Sequence, residues 1–171
     1  MADRKRLLYC GDSFEYTVMD VVRAAFPDAI LLHNRSAFST FLDNDTQIDV
    51  IAISSSGVFV IEAKNWAYWI KGTYDDYQWT GKSRDQKIMT VFNLVHQNFI
   101  HIRTIRNALR GIGLNPPAFQ NIVVVPDGTE IVGNCEEVVN LSVLPRRIKS
   151  LAVTDSINVQ EMKQNIMKVT R

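Results

Sequence analysis

The stretch QIDVIAISSSGVFVIEAK, residues 47–64, decides the fold of this chain. Its two halves, 47–53 and 58–64, are rich in β-branched residues and apolar on both faces, apart from the start of the first and the end of the second. Between them, residues 54–57 are of types that favour turns. Strands that are apolar on both faces lie inside a sheet that helices cover. The stretch therefore predicts an antiparallel pair of central strands joined by a short loop.

Helices and strands are predicted to alternate through the rest of the chain. Apolar residues at helical spacing predict helices over about 13–26, 87–110 and 159–169. Short apolar runs predict strands at 30–33, 122–125 and 138–141. A second hairpin is predicted to join 69–73 to 77–80, and residues 38–46 are ambiguous. This order predicts an α/β fold with a central mixed β-sheet flanked by helices.

The composition is that of an ordinary globular chain. Its 171 residues, 46% of them hydrophobic, predict a single domain over residues 1–171. Nineteen basic and eighteen acidic residues give a net charge of +1, which excludes a histone-like polycation or an acidic tail. Cys10 and Cys135 are too few for a disulfide scaffold and lack metal-ligand spacing. Apolar runs are too short for a membrane span or a signal peptide, so we expect a cytoplasmic protein without a membrane partner.

The register of the central hairpin brings two acids together. If the loop joins the strands directly, Ile53 faces Val58 and Asp49 lies opposite Glu62. Side chains alternate between the faces of a sheet, so Asp49, Glu62 and Lys64 project from one side. Like charges that face each other across strands are destabilising, and this pair therefore needs a positive partner. Magnesium suits such a site, because it keeps several waters and takes one or two carboxylates.

The same residues also have a purely structural interpretation. Lys64 would neutralise one carboxylate in a salt bridge, and Asp49 would be a solvated residue at the end of the hairpin. A register shift by one residue would also place the two acids on opposite faces. The pattern alone leaves these alternatives open.

Several blocks of the sequence resemble one known family. The segments QID at 47–49 and SGVFVIEAKNW at 56–66 closely resemble the nuclease-related domain, NERD. The resemblance continues in NLVHQNFIHI at 93–102, which is similar to the family's Asn-Pro-x-x-Gln-Asn-x-x-His stretch. It covers about residues 11–125. Leu94 stands where the family has proline, and the block GDSFE at 11–15 is looser than usual.

The resemblance implies a fold and a set of site residues. The family is assigned to the PD-(D/E)xK superfamily, which has the restriction-endonuclease-like fold. The metal, magnesium or alternatively manganese, would be held by Asp49, Glu62 and the carbonyl of Ala63. Lys64 would position or activate the attacking water and support the charge of the phosphate. The implied catalytic set is Asp49, Glu62, Lys64, Gln97 and Glu15.

One stripe of the long predicted helix carries polar residues. Asn93, Gln97 and His101 are four residues apart and lie opposite the apolar arc of the helix. A helix with a polar face over a site shows this pattern, and so does a helix face in contact with solvent. Both interpretations stay open at this point.

Two functions of different classes fit these observations. The leading hypothesis is a magnesium-dependent nuclease that hydrolyses phosphodiester bonds, with DNA favoured over RNA as substrate. The alternative is a catalytically idle nucleic-acid-binding or interaction module of the same fold. The intact Asp/Glu/Lys set favours the enzyme, because a binding module has no reason to keep two acids face to face. Where the protein self-associates, we expect a homodimer.

Overall fold

The computed structural model describes residues 12–66, 68–83, 85–153 and 156–171. Cys10 and Gly11, which figure in the sequence patterns above, lie outside these ranges. The helices are α1 (Asp12–Ala25), α2 (Leu94–Gly111), α3 (Leu144–Ser150) and α4 (Val159–Val169), with a 3₁₀ turn at Leu141–Val143. The first strands are β1 (Ile30–Ser39), β2 (Asn44–Ser54), β3 (Gly57–Ala63), β4 (Trp69–Lys71) and β5 (Gln78–Lys82). The later strands are β6 (Ile88–Phe92), β7 (Phe119–Val125), β8 (Glu130–Val132) and β9 (Val138–Asn140).

The central hairpin has the predicted register. Strands β2 and β3 are antiparallel, and Ile53 pairs with Val58. Ser54 also pairs with Gly57, so the connecting turn is shorter than predicted. Each strand is buried along nearly its whole paired length, as a strand covered on both faces must be.

The hairpin lies inside a five-stranded mixed sheet with helices on both faces. The strand order is β1-β2-β3-β7-β9, in which β1, β2 and β3 are antiparallel neighbours and β7 runs parallel to both β3 and β9. On one face, α1 and α3 pack on side chains such as Ala52 and Ile61. On the other face, α2 and α4 pack on side chains such as Ile51 and Val60. The predicted α/β class, with a mixed sheet flanked by helices, is confirmed.

A smaller sheet holds the second predicted hairpin. Its strand order is β6-β5-β4-β8, with β4 and β5 antiparallel. Strand β6 corrects the sequence analysis, because residues 88–92 were predicted as the first part of a long helix. Ile88 pairs with Lys82 and Phe92 with Gln78, and the helix begins only at Leu94. The apolar residues of 88–92 fit a helical stripe by spacing, but pairing with β5 decides their conformation.

The ambiguous residues 38–46 form the ends of two strands and the turn between them. Strand β1 continues past the predicted 30–33 as far as Ser39, and β2 begins at Asn44. Asp43 lies in the turn with a φ of 51°, a conformation that aspartate tolerates better than most residues. The helix predicted over 159–169 is present, and the strand predicted at 122–125 lies within β7. The strand predicted at 138–141 ends one residue earlier, at Asn140, because Leu141 begins the 3₁₀ turn.

None of the helices within the described ranges is long and apolar enough to cross a membrane. The prediction of one domain over residues 1–171 extends beyond those ranges and stays a prediction.

Candidate active site

The two predicted acids lie where β2 and β3 separate. The ladder between these strands ends at the pair formed by Val50 and Ile61, so Asp49 and Glu62 are the next residues on each strand. The Oδ2 atom of Asp49 accepts a hydrogen bond of 2.9 Å from the backbone N–H of Ala63. The Asp49 carboxylate therefore reaches across the end of the ladder to the strand that carries Glu62. It is partly buried, which rules out the interpretation of Asp49 as a solvated hairpin-end residue.

Glu62 is the most enclosed group of the site, with 2% of its side chain exposed. Its Oε1 atom lies 2.6 Å from Nζ of Lys64 and accepts a hydrogen bond of 3.0 Å from Nε2 of Gln97. Its Oε2 atom lies 3.2 Å from Nε2 of His101, and no hydrogen bond of normal geometry reaches it from the described residues. The structure thus brings Lys64 and Gln97 to Glu62, as predicted.

Two residues of α2 reach Glu62 because the helix is anchored on the sheet next to it. Asn98 is fully buried, and its Nδ2 atom donates to the carbonyl oxygens of Val60 and Ile122, at 2.8 and 3.1 Å. Val60 and Glu62 lie on the same face of β3, because side chains alternate along a strand. Because these hydrogen bonds fix α2 at Asn98, the neighbouring helix residues Gln97 and His101 lie over the Glu62 carboxylate.

His101 is a site residue whose partner the sequence pattern could not identify. Its Nδ1 atom forms a hydrogen bond of 2.8 Å with the hydroxyl of Thr46 on β2, and both side chains are buried. The polar stripe of α2, which includes His101, was the sequence signal that pointed to this residue. Of the three stripe residues, Gln97 and His101 contact Glu62, whereas Asn93 caps the helix by accepting from the N–H groups of Val95 and His96.

The two carboxylates differ in their electrostatic surroundings. Burial raises the pKa of Asp49 to about 7, and the charge of Glu62 adds to the rise, whereas the hydrogen bond from Ala63 acts against it. Burial by itself also raises the pKa of Glu62, but His101 and Lys64 outweigh burial and hold that pKa below its usual value. Among the described residues, the cationic groups of the site therefore lie closest to Glu62, and the charge of Lys64 has only a small effect on Asp49.

Glu15 approaches the site from the opposite layer. It lies on α1, is 8% exposed, and its Oε2 atom is 2.6 Å from Nε2 of His33 on β1. Its charge contributes to the raised pKa of Asp49, so Glu15 belongs to the same electrostatic environment. The sequence pattern did not reveal the pairing with His33, because residues far apart in the chain meet only through packing of α1 on the sheet.

The donor set fits a hard divalent cation held by few protein ligands. Two carboxylates lie at the open end of the β2–β3 ladder, and Glu62 Oε2 is buried without a regular hydrogen bond from the described residues. Burial and the charge of Glu62 raise the pKa of Asp49, which a bound cation would oppose. Magnesium is typically bound through one or two carboxylates and retains waters, so two acids are sufficient. Within the described ranges, no cluster of three or more His, Cys, Asp or Glu residues is placed to hold a metal. A larger all-protein metal cage is therefore absent from that part of the chain.

An uncharacterized protein of Bacillus anthracis is 40% identical over 75 residues, which cover 44% of this chain and 34% of that protein. The match thus spans about a third of the length of this curated relative. No solved structure matches the chain, and the restriction-endonuclease-like fold stays a prediction. The family model for NERD, the nuclease-related domain, matches residues 11–126. Because this match covers more than half of the sequence, the chain belongs to the nuclease-related domain family.

Proposed function

We propose that this protein is a metal-dependent nuclease that hydrolyses phosphodiester bonds, with DNA favoured over RNA as substrate. The observation that carries the proposal is the buried pair of carboxylates at the end of the β2–β3 ladder, flanked by Lys64. Family membership implies a nuclease-related function, and the site has the residue types that such a reaction uses.

Each residue of the site has a distinct role in this proposal. Asp49 and Glu62 would hold magnesium or manganese, together with the carbonyl of Ala63. The metal, when bound, would lower the pKa of a coordinated water and stabilise the leaving oxygen. The Lys64 ammonium, 2.6 Å from Glu62, would turn towards a phosphate oxygen or the attacking water. Gln97 donates to Glu62 and would keep this carboxylate oriented.

Glu15 has a more distant role in the proposal. Its carboxylate pairs with His33 on the α1 side of the sheet and adds negative charge near Asp49. It would strengthen the attraction of the site for a cation without contacting the phosphate.

Cleavage assays with isosteric variants test the proposal. Purified protein is incubated with plasmid DNA, single-stranded DNA and RNA while magnesium or manganese is titrated. Asp49→Asn and Glu62→Gln should each abolish cleavage, since each removes a metal-binding charge and preserves the shape. The matched controls, Asp28→Asn and Glu130→Gln, change exposed acids far from the site in sequence and should cleave like wild type.

Two outcomes would contradict the assignment as a nuclease that uses a metal held by these acids. One is cleavage by wild-type protein in excess chelator, and the other is unchanged cleavage by Glu62→Gln. Binding of DNA without cleavage at any metal concentration would instead favour the catalytically idle module of the same fold.

A further inference from the structure

A cavity of about 490 Å³ opens directly beside the carboxylate site. Gln97 and His101, which contact Glu62 from α2, also line this cavity. Its remaining walls are mainly apolar and come from the turn between β1 and β2, from α2 and from the smaller sheet. The volume falls within the range of about 300–1,000 Å³ that is typical of ligand pockets. The cavity and the proposed catalytic site therefore share a wall.

Aromatic side chains at the cavity are unusually exposed. Phe41, in the turn between β1 and β2, is 64% exposed, and Tyr77, just before β5, is 74% exposed. Tyr77 and Phe92 form an edge-to-face pair with ring centroids 5.3 Å apart. Exposed aromatic groups gathered at one concave place indicate a binding surface, whereas single exposed apolar residues do not. The rings offer flat apolar faces for a planar ligand to stack against.

A cation accompanies the aromatic rings. The guanidinium of Arg103 lies 5.7 Å from the centroid of the Phe41 ring. A second, smaller cavity of about 180 Å³ is lined by both Phe41 and Arg103, so the binding surface continues past the turn. A purely apolar ligand would not need this charge. A nucleotide matches both features, because its base stacks on aromatic rings and its phosphate attracts arginine.

We propose that this cavity holds an unpaired base of single-stranded DNA next to the scissile phosphate. A base within a duplex has both faces covered by its neighbours, so only an unstacked base can enter such a pocket. The inference deepens the proposed nuclease function and rests on it: the shared residues Gln97 and His101 place the base next to the carboxylates. The enzyme would then prefer single strands, frayed ends or flaps over intact duplex.

Binding in chelator tests this inference separately from cleavage. Anisotropy is measured with fluorescein-labelled oligo(dT), with an abasic oligonucleotide of the same length, and with a duplex. Oligo(dT) should bind wild type best. Phe41→Ala and Tyr77→Ala should each weaken its binding about 5- to 150-fold, the range found when one aromatic stacking partner is lost. Binding of the abasic oligonucleotide, which has only the backbone, should not respond to either variant.

Controls separate stacking from damage to the fold. Phe99→Ala removes an exposed aromatic residue of α2 that does not line the cavity and should bind like wild type. Phe41→Tyr and Tyr77→Phe keep a ring and should retain most of the affinity. Circular dichroism of each variant checks that the chain is folded.

Three results would overturn the inference. The first is equal affinity for oligo(dT), duplex and abasic DNA, and the second is unchanged oligo(dT) binding by both alanine variants. The third is self-association that these variants abolish while oligo(dT) binding persists, which would assign the cavity to a second copy of the chain. If the preference for unpaired bases holds but no metal supports cleavage, only the nuclease function fails.

Discussion

At the scale of single residues, Asp49 and Glu62 share a site but differ in how their negative charges are compensated. Lys64 and His101 both contact Glu62, whereas in the described part of the chain the Asp49 carboxylate accepts a hydrogen bond from the backbone of Ala63 and has no ion pair. Burying a charge without a partner is costly, so ionised Asp49 destabilises the metal-free protein. A cation would remove this cost. The proposed metal site therefore predicts that a bound cation stabilises the folded protein.

We predict that Asp49→Asn stabilises the metal-free protein at pH 8. The amide keeps the shape and can still accept the hydrogen bond from Ala63, but it carries no charge. Because the folded-state pKa is raised from 3.8 to about 7, the folded carboxyl holds its proton where the unfolded one has lost it. Wild type therefore loses stability as pH rises from about 4 to about 7, with a limit of about 4 kcal/mol. The variant should avoid this loss.

Urea unfolding in chelator at pH 5 and pH 8 measures the free energy of unfolding of wild type and Asp49→Asn. The variant should exceed wild type in this free energy by more at pH 8 than at pH 5. Magnesium at a hundred times its Kd should then stabilise wild type by about 2.7 kcal/mol and the variant much less. A variant that is less stable than wild type at both pH values, with no response of wild type to metal, would contradict the metal site.

We predict that Lys64→Ala lowers the rate of the chemical step in cleavage about 10²- to 10³-fold, as the loss of one preorganised electrostatic group does. Single-turnover rates at saturating metal measure it. Lys71→Ala, which removes an exposed lysine of β4, is the control. If Lys64→Ala cleaves at the wild-type rate, the role of Lys64 is limited to its ion pair with Glu62 and does not extend to the chemical step.

At the scale of secondary-structure elements, Asn93 joins the smaller sheet to the helix that covers the site. Its side-chain oxygen caps α2, and its Nδ2 atom donates to the carbonyl oxygens of Thr73, Tyr74 and Asp76. Asn93 itself is fully buried, so its side-chain amide depends on these protein partners for its hydrogen bonds. Asn93 thus lies between β6 and α2, caps the helix and holds the loop between β4 and β5 in place.

We predict that Asn93→Ala costs about 2–4 kcal/mol of unfolding free energy, because a helix cap and three partly buried loop hydrogen bonds are lost together. Asn158→Ala is the matched control: Asn158 caps α4 through one exposed hydrogen bond, to the N–H of Glu161, and its loss should cost about 1 kcal/mol. Urea unfolding of the three proteins provides the comparison. If both variants lose the same free energy of unfolding, the contacts of Asn93 with the loop do not contribute to stability.

At the scale of the whole molecule, the site lies where the layers and the two sheets meet. Leu94 and Val95, at the start of α2, pack in one cluster with Ile70 and Trp79 of the smaller sheet. The same helix carries Gln97 and His101 to Glu62 and lines the aromatic cavity. The position of the smaller sheet is therefore coupled to the site through the first turns of α2.

The outer edge of the large sheet is partly covered. Ser36 of β1 exchanges two backbone hydrogen bonds with Arg171, of 2.9 and 2.7 Å, and Arg35 donates to Thr170. Pairing at this point satisfies backbone groups that would otherwise be free to join another chain. The described C-terminal residues therefore protect the edge strand next to the central hairpin.

The sequence by itself determined the central hairpin and the two acids at its end, whereas it left two registers open, of which the structure has the one that brings the acids together. These features depend on neighbours in the chain: alternation along a strand, a short turn between two apolar runs, and a charge where each run ends. The fold class followed from the same local patterns. The residues of the resemblance were sufficient to name the family, because its motifs are local stretches in a fixed order.

Only the tertiary structure decided which partner each charge has. Lys64 follows β3 and forms an ion pair with Glu62, and α2, which Asn98 anchors over β3, adds His101 to the same carboxylate. No described residue forms an ion pair with Asp49. Local patterns also failed for β6, where pairing with β5 overrode an apolar spacing that suited a helix. Both outcomes have one physical reason: the pKa of a buried acid and the conformation of a short apolar segment depend on groups that the chain brings together only when it folds.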